Sequence, residues 1–345
     1  MAIDFPSSPT TGSLSLQTPG LYVYDGSGWT QNTAANSPDI FTTNPFLYRT
    51  IYTRGYVSNG YASSTPWQNV NRTVHTTDTT TNLGDMHNNT GSYLDGGWSE
   101  YYHYVYNASG SVGGSSTNVS AMNMATESSR THLNSWDLKV SRTNNGALMN
   151  PSLSAAYITA GANATTDKHN YATETMYSLG NNCPTSGGTG GGVSRFFGST
   201  YGWVWASGSG GYLSWTTETW ASGGLNISTD GQPKGLSTKL GWAYCATGSY
   251  GGAATYYKIN DLTGSNISTS ISRPEACGEE NCQVGQYWGY TLGSYNGAAQ
   301  TNNTTKVNYL TDVVTAMGSD TQPKGHAGMS SGATGSASAL ILGGA

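Results

Sequence analysis

Six histidines, His75, His87, His103, His132, His169 and His326, are the side chains of this chain best suited to acid–base or metal chemistry near neutral pH. Proton transfer needs an imidazole within reach of a partner, and no spacing in the sequence pairs them. A copper-radical oxidase needs Tyr, Cys and paired His, which this scatter does not supply. A sialidase-like site needs gathered arginines and Asp-box turns, whereas the arginines here are dispersed from Arg49 to Arg273. The run Gly187-Gly188-Thr189-Gly190-Gly191-Gly192 has the composition of a phosphate loop but no following Lys-Ser/Thr, so it reads as a flexible connection. Glu275, Glu279 and Glu280 offer hard oxygen ligands, but without the alternating spacing of a calcium loop they read as solvated. The expectation is therefore a chain with no catalytic residues, no metal and no cofactor.

Sulfur chemistry is similarly sparse. Cys183, Cys245, Cys277 and Cys282 are too few to scaffold a chain of 345 residues. Cys277 and Cys282 are close enough for a local disulfide, and without a second Cys/His pair zinc is disfavoured.

The elements that must position any site follow from composition. Charged residues make up 10% of the chain, against roughly 25% in ordinary soluble domains, which disfavours coiled coils and salt-bridged bundles. With 47 Gly, 24 Tyr and 10 Trp amid abundant Ser, Thr and Asn, the chain reads as many short strands joined by tight turns. Recurrent aromatics argue against disorder. A net charge of −5 with no basic run argues against nucleic acid, and no stretch is long and apolar enough to insert in a membrane. No secretory signal is visible in 1–15.

An aromatic-centred strand recurs as 55–60, 103–108, 156–161, 202–207, 241–246 and 289–294, with anchors Tyr56, Tyr104, Tyr157, Trp203, Trp242 and Tyr290. Their mean spacing of about 47 residues is that of a propeller blade. A Thr/Asn-rich strand follows in most repeats, and then a turn, Thr77-Asp78, Thr126-Glu127, Thr173-Glu174 and Thr311-Asp312, whose carboxylate is suited to bonding nearby backbone N–H groups. Asp230-Gly231-Gln232-Pro233-Lys234-Gly235 returns as Asp320-Thr321-Gln322-Pro323-Lys324-Gly325, which indicates internal duplication. The apolar segment 338–344, anchored at Ala339, and the N-terminal hairpin of 21–29 are candidates to share a last blade. The expected fold is all-β: a β-propeller of seven blades, the last closed by N- and C-terminal strands, or alternatively six blades plus an N-terminal hairpin. Residues 1–20 form an N-terminal arm and 21–345 the propeller.

The Tyr- and Trp-bearing strands and Gly343-Gly344 resemble the kelch-type β-propeller, although most repeats lack the Gly-Gly pair. The opening 1–10 with its Asp-Gly-x-Gly-Trp hairpin, and the segment from Gly325 to Gly344, are similar to structural proteins of tailed phages infecting cyanobacteria. The resemblance implies a virion structural protein and no enzyme: a tail fibre, an appendage or a capsid or neck decoration protein, exposed on the particle after assembly in the host cytoplasm. Its partners would be other virion proteins or further copies of itself. In such propellers the loops on one face bind, and here they carry Trp67, Tyr212, Tyr250 and Tyr295. Rings among small polar residues suit a host surface glycan, so a carbohydrate-recognition module for host attachment is the alternative, and a propeller enzyme acting on glycans a more distant one.

Overall fold

The short aromatic strands pair antiparallel into four-stranded sheets. The computed structural model describes the strands of 14–31 and, with short gaps, residues 54–85, 97–108, 117–141, 146–184, 194–223, 234–247, 255–272, 281–295, 300–317 and 331–335. Five sheets are each built from four strands consecutive in the chain. The third is representative: Gly146–Asn150, Ala155–Thr159, Thr165–Asn170 and Thr175–Asn182 lie side by side in that order. The second runs from Gly97–Glu100 to Ser128–Ser129, the fourth from Ser194–Phe197 to Trp220–Ser222, the fifth from Lys234–Ser237 to Asn266–Ser272, and the sixth from Asn281–Val284 to Val314–Ala316. The first sheet differs, because its order is Ser331–Gly335, Arg54–Ala62, Thr65–Val74, Thr79–Asp85.

The first strand of each sheet neighbours the first strand of the next, from Ser331–Gly335 through the second, third, fourth, fifth and sixth sheets and back to Ser331–Gly335. The sheets therefore close a ring, and the fold is a β-propeller. Six four-stranded sheets are present among the described residues. Leu14–Gln17, Gly20–Tyr24 and Trp29–Gln31 make a separate three-stranded sheet, as in the second of the two expected arrangements. Short connections let these three strands satisfy one another's ladders locally, so they add no strand to the ring. Residues 338–344, expected to close the ring, lie outside the described residues. The strand that does close it is Ser331–Gly335, paired from Ser331↔Ser58 to Gly335↔Arg54.

Between the sheets lies the core. Alternate residues of each second strand face the two neighbouring sheets, which is why strands such as Ala155–Thr159 are buried throughout. The core is aromatic, and close packing sets where glycine is required. A Cβ on Gly202 would stand 2.4 Å from Cη2 of Trp215, and one on Gly289 would stand 2.9 Å from the Tyr309 hydroxyl. Each glycine thus makes room for the ring in the turn that follows the neighbouring strand. Trp203 and Phe196, cross-strand partners, stack 5.9 Å apart.

Candidate functional site

One turn recurs in each of the six four-stranded sheets, between the third and fourth strands. Its first side chain accepts the N–H of the threonine three residues on: Asn123 from Thr126 at 3.1 Å, Asn170 from Thr173 at 3.2 Å, Asn260 from Thr263 at 2.9 Å and Asn308 from Thr311 at 3.1 Å. Ser214 does the same for Thr217 at 3.4 Å. The threonine hydroxyl then meets the hydroxyl two residues later at 2.7 Å in Thr77–Thr79, Thr126–Ser128, Thr173–Thr175, Thr217–Thr219 and Thr263–Ser265. At the residue after this threonine the backbone turns left-handed. Asp78, Glu127, Glu174, Glu218 and Asp312 have φ of 55, 48, 51, 53 and 58°, and Gly264 has 71°. Such backbone costs about 1 kcal/mol or more for a residue with a Cβ, so five acidic residues there need a compensating contact.

The contact is made by the preceding sheet. Glu127 accepts both a 2.7 Å pair of hydrogen bonds from Arg72 and one of 3.3 Å from the Tyr56 hydroxyl, with Arg54 at 3.4 Å. Glu218 accepts from Lys168 and, at 2.7 Å, from the Tyr157 hydroxyl. Asp312 accepts from Lys258 at 2.9 and 3.1 Å and from the Tyr244 hydroxyl. Asp78 of the first sheet accepts from Lys306 and, at 2.8 Å, from the Tyr290 hydroxyl of the sixth. Tyr and cation are cross-strand partners in all four cases: Tyr56↔Arg72, Tyr157↔Lys168, Tyr244↔Lys258 and Tyr290↔Lys306. Each pair of strands therefore presents a phenol and a cation side by side, spaced to hold one carboxylate.

The second and third sheets are joined by a variant. Arg130 forks onto Glu174 at 2.6 and 2.9 Å, with its guanidinium 4.7 Å from the Trp136 ring centre. Lys258 and Lys306 likewise lie 4.5 Å from the centres of Trp242 and Trp288. Between the fourth and fifth sheets both charges are replaced together. Tyr212 stands where the cation would be, opposite Trp203, and Gly264 stands where the acid would be. The Trp203 indole instead donates to the Asp261 carbonyl at 2.7 Å.

The electrostatics fit a fixed, neutralised set of contacts. Burial raises the Tyr157 and Tyr290 hydroxyls, and their acidic partners Glu218 and Asp78 raise them further. Tyr244 is raised by burial and by Asp312, and Tyr56 is pushed up to about 12 by burial and the Glu127 charge. For Glu218, burial alone would raise the carboxyl, but hydrogen bonds from Lys168 and Tyr157 and the Lys168 charge bring it below its ordinary value. These phenols stay protonated and these acids are bound to cations, so the arrangement ties sheets together and leaves no proton poised for transfer.

Of the expected binding residues, Trp67 lies in the strand Thr65–Val74, Tyr212 in Ser209–Ser214 and Tyr295 at the end of Trp288–Tyr295, so all three sit in strands where loops were expected. The strands run on because their ladders continue, as in Gly60↔Trp67 and Tyr295↔Gln300. Tyr212 is half-buried, 4.8 Å from the Tyr201 ring and 4.9 Å from Trp203. Tyr250 and Cys277 lie outside the described residues, as does the side chain of Cys282, so the expected disulfide does too. Cys183 and Cys245 are buried. His169 is buried edge-on to Tyr171, and burial together with the Arg130 charge pushes it down to about 3. No protein-family model matches the chain, and no curated protein matches it.

The carboxylate contacts were missed in the sequence, although it carried a signal. Arg72, Lys168, Lys258 and Lys306 each stand six residues before the turn position, in a chain with only 14 Lys and Arg. Four of so few cations at one repeat position mark a shared task.

Proposed function

We propose that this chain is a structural component of a virus particle, a tail fibre, appendage or capsid or neck decoration protein of a tailed phage, with a kelch-like propeller as its rigid display module. The observation that carries the reading is the ring of carboxylate contacts: nearly every sheet grips the next, and the scarce charges serve that grip. A module of this kind keeps its shape while its Ser, Thr, Asn and Gly surface meets solvent. The low charge, the phage-like opening residues and the repeat resemblance support the same reading. Its partners would be other particle proteins, and its place the particle exterior. Mass spectrometry of purified particles, with antibody labelling of intact ones, tests it. Stoichiometric recovery and external labelling are expected. Absence from particles of a host expressing the chain would overturn it.

A specific observation favours a second reading, recognition of a host glycan. At the contact between the fourth and fifth sheets, which lacks the carboxylate–cation pair, Tyr201 and Tyr212 are half-buried, and their hydroxyls form no hydrogen bond among the described residues. Half-buried rings with such hydroxyls suit a neutral sugar. Binding on a glycan array that Tyr212→Ala abolishes, with melting temperature retained, is the expected result; no binding to any glycan would reject it.

A further inference from the structure

The ring is not equally strong around its circumference. Five sheets are continuous in sequence, so separating any one of their strands requires that a local hairpin break. In the first sheet alone, the innermost strand comes from the far end of the described chain, with Ser331 opposite Ser58. No local turn holds that pairing, and its closure entropy is the largest among the described strand pairings. The strand is also the poorest in apolar area. It reads Ser-Gly-Ala-Thr-Gly, whereas the other first strands carry Trp98, Leu148 and Met149, Phe196 and Phe197, Leu236 or Val284. Burial of a Leu- or Phe-sized side chain contributes about 1.5–3 kcal/mol, which five small residues cannot match.

Beside that strand, one turn of the first sheet carries side-chain contacts to the sixth. Asp78 receives Lys306 and the Tyr290 hydroxyl from the sixth sheet, and beside it His75 stacks on Tyr290 with ring centres 4.8 Å apart and planes 11° apart. The Tyr290 hydroxyl also reaches the His75 carbonyl at 3.3 Å. Asp78 holds this position with φ of 55°, a conformation that disfavours it in isolation.

We propose that the propeller has a single opening seam, between the sixth and first sheets, and that Asp78 is its catch. Release of Asp78 frees Lys306 from the first sheet and leaves Tyr290 held there by His75, and Ser331–Gly335 then separates from Arg54–Ser58 while the other five sheets keep their ladders. The ring thus opens by sub-global unfolding at one place, not by general loosening. The inference concerns the fold alone and stands whichever function the ring serves.

Amide hydrogen exchange on the intact chain tests this. In the wild type, residues 331–335 and 54–58 are expected to exchange at least tenfold faster than the paired strands Gly146–Asn150 and Ala155–Thr159. Asp78→Asn is expected to speed exchange in 331–335 and 54–58 by a further tenfold or more and to leave 146–159 unchanged. Glu174→Gln, which breaks the contact between the second and third sheets, is the control and is expected to leave 331–335 unchanged. Equal protection of 331–335 and 146–159 in the wild type would overturn the proposal even if Asp78→Asn failed to fold. So would an equal response of 331–335 to both substitutions.

Discussion

Asp78, Glu127, Glu174, Glu218 and Asp312 each combine an unfavourable backbone conformation with a favourable contact, and the two are separable. Glu127→Ala removes the contact with Arg72 and Tyr56 and keeps the strain, so a loss of about 1–3 kcal/mol is expected. Glu127→Gly loses the same contact but relieves the backbone, and should be less damaging by about 0.5–1 kcal/mol. Denaturant unfolding of both variants measures the difference, and equal losses would show that the strain is not real. Acid acts on two other residues in separate windows. His169 has its folded value depressed to about 3, so its contribution to stability is complete above its ordinary 6.5 and is lost as pH falls below that. Glu218 is also depressed, and its contribution is lost only as pH falls below its ordinary 4.5. Melting temperature should therefore begin to fall near pH 6.5, with His169 contributing up to about 1.4 kcal/mol per pH unit, and fall more steeply below 4.5. His169→Gln should flatten the upper window alone. At this scale the sequence showed that Thr-Asp/Glu pairs end strands. It did not show where the carboxylates point. Lys168 is only six residues from Glu174, yet its partner is Glu218, because a side chain facing the next sheet meets that sheet's turn and not its own.

At the scale of elements, the aromatic strands were legible because rings alternate with small residues at period two. The structure refines which aromatic matters. In the fifth sheet the contact to Asp312 is made by Tyr244, two residues beyond Trp242, whose ring instead covers Lys258. Both rings face the same neighbouring sheet, so alternation alone does not rank them. Thr217-Glu218 and Thr263-Gly264 belong to the turn series and were not recognised. In the second, glycine takes the left-handed position without an acid, so the sequence pattern breaks where the backbone pattern continues. The pairing of small residue and ring gives a further test. Gly202→Ala places a Cβ 2.4 Å from Trp215 and 2.8 Å from Leu148, and a loss of about 1–3 kcal/mol is expected by denaturant unfolding. Gly180→Ala, with φ of 70° and open space around the added atom, should cost only its backbone strain.

Over the whole molecule, a period of about 47 residues correctly implied radial sheets around a closed ring. It did not determine how the ring closes. Residues 331–335 are small and glycine-rich, and they show no aromatic anchor, so the more apolar segment after them drew the attention in the sequence. What selects 331–335 is their fit as an inner strand against Arg54–Ser58, a contact that spans nearly the whole described chain. Six sheets close a ring in which, among the described residues, every junction but that of the fourth and fifth carries an ion pair, and a zero-length carbodiimide cross-link joins a lysine to an acid only where the two already touch. Peptide mass spectrometry of the cross-linked chain should recover Lys168 with Glu218, Lys258 with Asp312 and, across the seam, Lys306 with Asp78. Recovery of the first two without Lys306–Asp78 would mean a stack of sheets with open ends and would contradict the ring.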